Sequence, residues 1–244
     1  MTGLGCWIGE QSVTRKFSLL FDLDGTLVDT DALHLCAFQE VLRGCGSTID
    51  EHYYRLHIAG RININIIAEA FPEASLKETQ ALAARKESLY RARLADVRAV
   101  DGANEILSWA QRNSLRCAIV TTSPRETVEA VLTVLGLLDF FSLLVVGDEV
   151  ERGKPDSLPY LTALRSFGIQ AGDAVAFEDS VSGITSACAA GLSTIGLLTS
   201  LSKEALIAAG AVKTAKNFRD KDMWEWLSAF EQRDVRRREQ SSLI

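Results

Sequence analysis

Five short apolar runs, separated by helical patterns, restrict this chain to few architectures. Residues 17–23 (FSLLFDL), 117–122 (CAIVTT), 142–148 (SLLVVGD), 174–178 (AVAFE) and 193–198 (STIGLL) are compact, rich in branched residues and mostly apolar on both faces. Strands of this kind lie in parallel sheets covered by helices on either side. Helical patterns at 126–135, 158–167 and 181–190 fall between them. The alternation predicts an α/β fold, a doubly wound, Rossmann-like parallel sheet.

One interval breaks the rhythm. About ninety residues separate the first run from the second, far more than a single crossover helix requires. Residues 31–97 show no convincing strand. Within them, 32–42 is amphipathic, with Leu35, Phe38 and Leu42 at helical spacing, and Gly44-Cys45-Gly46 stops it. Residues 75–93 form a long, charged, Ala/Leu-rich helical pattern. The expected organisation is a discontinuous α/β core (17–30 and 98–227) carrying an inserted all-helical domain (31–97). Hinges are expected at 29–31 and 95–100. Terminal extensions cover 1–16 and 228–244, the first loosely ordered, the second with a solvated basic helix end at 233–238.

Composition narrows the partners. With 26 Lys+Arg against 32 Asp+Glu the chain carries a net charge of −6, where a duplex-DNA reader would carry a basic surplus. No apolar run approaches the roughly 20 residues of a membrane span, and the first sixteen residues lack the layout of a signal peptide. The five cysteines include no C-x-x-C pair, so they read as small buried hydrophobes in a reducing compartment. A cytoplasmic protein that binds neither nucleic acid nor membrane is expected.

The candidate chemistry sits at strand ends. Asp22 and Asp24, in DLDGTL, leave the first strand on one side, since residues two apart in an extended chain share a face. Glu178-Asp179 ends another strand. Ligand crevices of open α/β sheets lie beyond the carboxyl ends of the strands, so these acids would converge there and repel one another unless a cation were shared. All-oxygen ligation suits Mg²⁺, and a shared ion requires Asp179 within about 8 Å of Asp22. Thr121, ending the second strand, offers a hydroxyl to a phosphate oxygen. Lys154, in RGKP, offers a compact positive charge suited to phosphoryl transfer. Taken singly, each has a plainer reading: Asp22 and Asp24 as turn residues before Gly25, Glu178-Asp179-Ser180 as a helix cap, Thr121 as a strand-end hydroxyl, Lys154 as a solvated lysine. Their falling at one edge of one sheet favours the shared site. Gly183, Ala187, Ala189, Ala190 and Gly191 read as close helix–sheet packing.

The combination FDLDGTL, TTS, GKP and EDSVSGI, in that order, resembles the haloacid dehalogenase superfamily of phosphotransferases over residues 17 to about 227. The resemblance implies Asp22 as a nucleophile forming an aspartyl-phosphate, and Asp24 as general acid/base with its backbone carbonyl on the metal. It further implies Thr121, the adjoining Thr122 and Lys154 as the phosphoryl grip, and a Mg²⁺ site of Asp22, Asp24 and Asp179 with Glu178 in or beside it. An aspartate at position 24 separates phosphatases and phosphomutases from dehalogenases, and one carboxyl group can protonate a leaving alkoxide and then deprotonate a water.

The position of the insertion resembles the helical cap of the branch holding β-phosphoglucomutase, 2-deoxyglucose-6-phosphatase and plant sugar-phosphate phosphatases. Such a cap opens to admit substrate and closes to exclude water. By that resemblance His34 and Lys86 are substrate-side residues, although His34 reads equally as an apolar-face residue and Lys86 as a solvated one. Asn63 stands where the mutase has a phosphate-gripping Arg, with Arg61 nearby and pointing elsewhere. The implied activity is Mg²⁺-dependent hydrolysis of small phosphorylated sugars or polyols by a monomer. A phosphomutase is the alternative, and a non-catalytic binder of phosphorylated metabolites a third reading.

Overall fold

The computed structural model describes residues 17–45 and 49–241. In chain order its elements are β1 (Ser18–Phe21), β2 (Val28–Asp29), α1 (Asp31–Val41), α2 (Glu51–His57), α3 (Asn63–Ala70), α4 (Leu76–Arg91), β3 (Arg98–Ala99), α5 (Ala103–Arg112), β4 (Cys117–Val120) and α6 (Arg125–Val134). They continue with β5 (Leu143–Val145), α7 (Leu158–Phe167), β6 (Ala174–Glu178), α8 (Val181–Ala189), β7 (Ser193–Leu197), α9 (Lys203–Ala208), β8 (Lys213–Ala215) and α10 (Lys221–Ser241).

Six strands form a parallel sheet in the order β5-β4-β1-β6-β7-β8. The chain therefore starts in the middle, builds outward through β4 and β5, and crosses back to build β6, β7 and β8 on the other side. The carboxyl ends of β1, β4 and β6 meet at that reversal, where an open α/β sheet leaves a crevice. The all-buried strand SLLF explains the doubly covered sheet, because alternate residues feed opposite layers. Leu19 and Phe21 join the layer that includes Ile106, Val128, Phe177 and Leu227, while Leu20 joins that of Tyr160, Ala163 and Ala187. The ring of Phe21 stacks on Phe177 with centroids 5.0 Å apart and meets Phe218 edge-on at 6.0 Å.

Between β2 and β3 the described elements are all helical. They enclose a core of their own around Phe38, Tyr54, Ile58, Ile66 and Ile67. Where the two linkers to these helices meet, β2 and β3 pair antiparallel, Val28 with Ala99 and Asp29 with Arg98. Two-residue strands carry no alternation, so the sequence shows only the linkers. The three-residue β8, with just Ala215 buried, was invisible for the same reason.

Other expectations change. Helix α10 does not stop at residue 227: Phe230 is buried against Phe17, and Asp234 is buried beside Arg237, which also pairs with Asp173. The beginning of the expected C-terminal extension thus packs on the core. The expected loose segment 1–16 lies outside the described residues, as do Cys6 and the side chain of Cys45. Cys117 is buried, and burial pushes its thiol up to about 12. Cys36, however, is exposed on α1, so the reading of every cysteine as a buried hydrophobe fails there. Ala189 is likewise exposed at the end of α8 rather than packed on the sheet. Among the described residues no helix is long and apolar enough to cross a membrane.

Because Phe177 is completely buried in the central aromatic stack, Phe177→Ala should cost about 3–5 kcal/mol, read as a lowered urea midpoint with an unchanged slope.

Candidate active site

Asp22 is the first residue past β1, and its backbone N–H still donates to the Phe177 carbonyl (3.0 Å), which fixes the carboxylate at the sheet edge. The chain then turns through Gly25, whose φ of +75° suits glycine. A Cβ on Gly25 would stand 2.2 Å from Asp179 Oδ2, so this glycine also makes room for the acid arriving from β6. Thr26 Oγ1 donates to Asp179 Oδ1 (3.1 Å), and Ser200 Oγ lies 2.6 Å from Asp179 Oδ2 and 2.7 Å from Asp31 Oδ2.

Asp22, Glu178 and Asp179 are all buried, and each offers a carboxylate oxygen within 4.8 Å of the others. That is well inside the separation a shared ion requires. Lys154 keeps the cluster together. Its buried ammonium donates to Asp22 Oδ1 (2.7 Å) and Glu178 Oε1 (2.5 Å), and the Tyr160 hydroxyl donates to the same Glu178 oxygen (2.5 Å). Burial, followed by these two carboxylates, sets the lysine's balance: desolvation alone would lower its pKa, and the pair of acids raises it above the usual value. Burial pushes Asp22 up to about 8 against the pull of Lys154. Burial and the neighbouring Asp22, Asp31 and Glu178 raise Asp179 well above the carboxylate range.

The cluster fits a divalent cation. Its donors are all oxygen, three carboxyl groups share one lysine, and Glu178 Oε2 is buried without a hydrogen-bond partner. Gly183 contributes here too. A Cβ there would collide with the Glu178 carboxylate at 1.9 Å, so its small size serves the acid and not packing alone. The helix-cap reading holds for Ser180, whose hydroxyl accepts from the Gly183 N–H (3.0 Å).

Asp24 lives in a different environment two residues from Asp22. Oδ1 accepts from Thr30 (2.9 Å) and Tyr90 (3.2 Å) and lies 3.0 Å from His34 Nε2, while Oδ2 accepts from Ser123 (2.7 Å). Burial alone would raise this carboxyl. His34, Ser123 and Thr30 overcome that and hold it well below the usual range.

His34 stacks face-to-face on Tyr90, with centroids 4.0 Å apart, and its Nδ1 lies 2.7 Å from Lys86 Nζ. An ammonium only donates, so Nδ1 accepts and Nε2 carries the hydrogen; that nitrogen lies close to Asp24 Oδ1 but is not aligned as a hydrogen bond. Lys86, which read as solvated if not a ligand group, is 1% exposed.

A small cavity opens on Asp22, Asp24, Thr121, Thr122 and Asp179 from the sheet side, and on His34, Asn63 and Lys86 from the helical side. The sequence-selected residues therefore converge, with one difference. Lys154 is not among the lining residues, and it touches the carboxylates behind Asp22. Thr121 Oγ1 accepts from the Ser123 N–H (3.1 Å), shaping the loop after β4. Ser123, Thr30, Tyr90, Tyr160 and Ser200 were missed. Ser123 lay inside the TTS motif and Tyr90 ends the stretch RKESLY beside Lys86, whereas Thr30, Tyr160 and Ser200 belong to segments with no motif of their own.

Comparison with known proteins agrees with this geometry. A family model described as haloacid dehalogenase-like hydrolase matches residues 19–197. The chain is 35% identical over 193 residues to a validoxylamine A 7′-phosphate phosphatase of Streptomyces hygroscopicus subsp. limoneus, covering 78% of this chain and 89% of that protein. It is 30% identical over 204 residues to a phosphorylated carbohydrates phosphatase of Thermotoga maritima, covering 82% and 94%. The crystal structure of CbbY from Rhodobacter sphaeroides in complex with phosphate superposes with a TM-score of 0.72 at 27% identity, covering 83% of this chain and 95% of that one.

Removing the lysine would leave Asp22 and Glu178 buried without their shared donor. Lys154→Met, of similar length, should destabilise the fold by about 3–5 kcal/mol in urea titrations at neutral pH.

Proposed function

This chain belongs to the haloacid dehalogenase-like hydrolases, and we propose that it is a magnesium-dependent phosphatase of small phosphorylated sugars or polyols, working through a phosphorylated Asp22. The observation that carries this reading is the contrast between two aspartates of one strand end. Asp22 is backed by Lys154 and faces an acid cluster, while Asp24 accepts from the hydroxyls of Thr30, Tyr90 and Ser123 and lies beside His34, Tyr90 and His34 coming from the helical insert. One carboxylate is arranged to react, the other to move protons.

In the proposed reaction an Asp22 oxygen attacks phosphorus as the ester P–O bond breaks. The bridging oxygen takes the proton of the Asp24 carboxyl. Donors around Asp24 favour its ionised form in the empty cavity, and a phosphate dianion entering beside it shifts the balance toward the protonated form this step needs. Asp24 then accepts a proton from a water that attacks the phosphoryl group, and the P–O bond to Asp22 breaks to release phosphate. Thr121 and Thr122 contact the phosphoryl oxygens, and Lys154 keeps Asp22 aligned from behind. Magnesium, held by Asp22, Asp179 and the Asp24 backbone carbonyl with Glu178 adjoining, would offset the charge of the carboxylates and the phosphoryl oxygens. The helices of residues 31–97 serve as a cap that closes the cavity against water.

Relatives named as phosphatases of validoxylamine A 7′-phosphate and of phosphorylated carbohydrates support the substrate class. The cavity supports a single phosphate. Arg61, expected to point elsewhere, does line the cavity, but it donates to the His57 carbonyl and pairs with Glu69, while Lys86 is held by Glu87 and His34 and Asn63 by Glu87. No cation among these residues is left for a second phosphate, which favours hydrolysis over a mutase cycle through a bisphosphate.

Screening a panel of sugar phosphates with Mg²⁺ should release inorganic phosphate. Asp22→Asn should abolish that release while the variant keeps wild-type circular dichroism, and retained turnover would exclude the mechanism. A second expectation concerns pH. With EDTA, folded Asp22 keeps its proton up to about 8, whereas the unfolded carboxyl loses it near 3.8. The folded state thus binds more protons between those values, and this group makes stability fall as pH rises through that window. Mg²⁺ binds the ionised form, so the gap in urea midpoint between Mg²⁺ and EDTA should widen from pH 5 to pH 8.

A further inference from the structure

Glu87 is a buried carboxylate on α4 that the proposed mechanism does not use. Three donors converge on its two oxygens: Asn63 Nδ2 (2.5 Å) and Lys86 Nζ (2.9 Å) on Oε1, and Thr127 Oγ1 (2.6 Å) on Oε2. Burial would raise this carboxyl, and Lys86, His34 and Thr127 lower it instead, so it stays ionised. Thr127 belongs to α6, on the sheet layer, while Glu87 belongs to the helical insert. The Thr127 hydroxyl, whose own hydrogen goes to Glu87, also accepts from Arg91 Nη1 (3.2 Å). Arg91 in turn pairs with Glu126 (3.2 Å). Helix α4 therefore straddles Thr127 with two side chains one turn apart.

From Glu87 two hydrogen bonds and one close contact lead to the acid/base. Lys86 Nζ, held by Glu87, donates to His34 Nδ1, which leaves the hydrogen on His34 Nε2, 3.0 Å from Asp24 Oδ1 at ion-pair distance but without hydrogen-bond alignment. A lysine ammonium can turn freely about its last bonds, and the carboxylate beside it fixes where it points. Glu87 also offsets the lysine's charge, which would otherwise oppose protonation of Asp24. We infer that Glu87 is a positioning residue that, anchored on Thr127 when the insert is closed, orients Asp24 through Lys86 and His34 for proton delivery to the leaving group. The inference rests on the acid/base reading of Asp24 above. It makes closure of the insert and readiness of the acid one event.

The test is leaving-group dependence. An alkoxide needs the proton of Asp24 as the P–O bond breaks, and a p-nitrophenolate departs without it. The ratio kcat/KM reports steps up to that departure, so it isolates the acid role from the later attack by water. Glu87→Gln presents one acceptor and an N–H₂ to three donors, which sets at least one donor against another. It should lower kcat/KM on the best alkyl phosphate of the panel by at least about tenfold more than on p-nitrophenyl phosphate, as loss of part of a general-acid contribution demands. Thr127→Val removes only the anchoring hydroxyl and should show the same selective loss to a smaller extent. It carries the test if Glu87→Gln does not fold. Equal losses on both substrates, or no loss on either, would overturn the inference and leave Glu87 a purely structural tie. A wild-type enzyme inactive on both substrates with Mg²⁺ would overturn the phosphatase reading instead. Asp24→Ala without leaving-group dependence would remove Asp24 as the acid and the inference with it.

Discussion

The ammonium of Lys154, sealed between Asp22 and Glu178, is the interaction on which the rest of the site depends. Three carboxylates cannot be gathered out of water at one sheet edge by packing alone, because each loses hydration and each repels the others. One fixed positive charge at 2.7 and 2.5 Å lowers that penalty and decides which oxygens remain available. Asp22 keeps one oxygen toward the cavity, and Glu178 keeps Oε2 without a partner. Tyr160, from the helix on the far layer of the sheet, supports the same Glu178 oxygen, so the core itself takes part in holding the charge.

Two small residues make that gathering sterically feasible. At Gly25 a side chain would enter the space of Asp179, and at Gly183 it would enter that of Glu178. Backbone turn and acid placement are therefore one problem at each position. The sheet supplies the rest. Parallel pairing of β1 with β4 and β6 brings residues far apart in sequence to a common edge, and every strand presents its carboxyl end there.

The helical insert does more than cover the crevice. Tyr90 and His34 reach the Asp24 carboxylate from α4 and α1, and Thr127 reaches back from the sheet layer to Glu87. Asp24 thus has partners on both sides of the cavity. Its environment depends on the insert being seated, whereas the Lys154–Asp22–Glu178 contacts lie within the sheet layer and its loops. The reaction proposed above, with a rigid nucleophile and an acid sensitive to closure, would use that division.

The amino-acid sequence by itself determined the doubly wound sheet, the helical insertion, and the identities of Asp22, Asp24, Thr121, Lys154 and Asp179 as one candidate group. Parallel strands buried on both faces leave apolar runs, and their carboxyl ends are adjacent by construction, so chemistry placed there is legible. Only the tertiary structure decided which oxygen faces which donor. It set Lys154 behind Asp22 and away from the cavity lining, gave Asp24 its ring of hydroxyls, and made a chain of Glu87, Lys86 and His34. Glu87 and Tyr90 of one helix, Tyr160 and Ser200 come from three separate segments, and their roles exist only as distances. The physical reason is that strand and helix periodicity is written locally, while the partners of a buried charge are set by elements that meet only after the chain has folded.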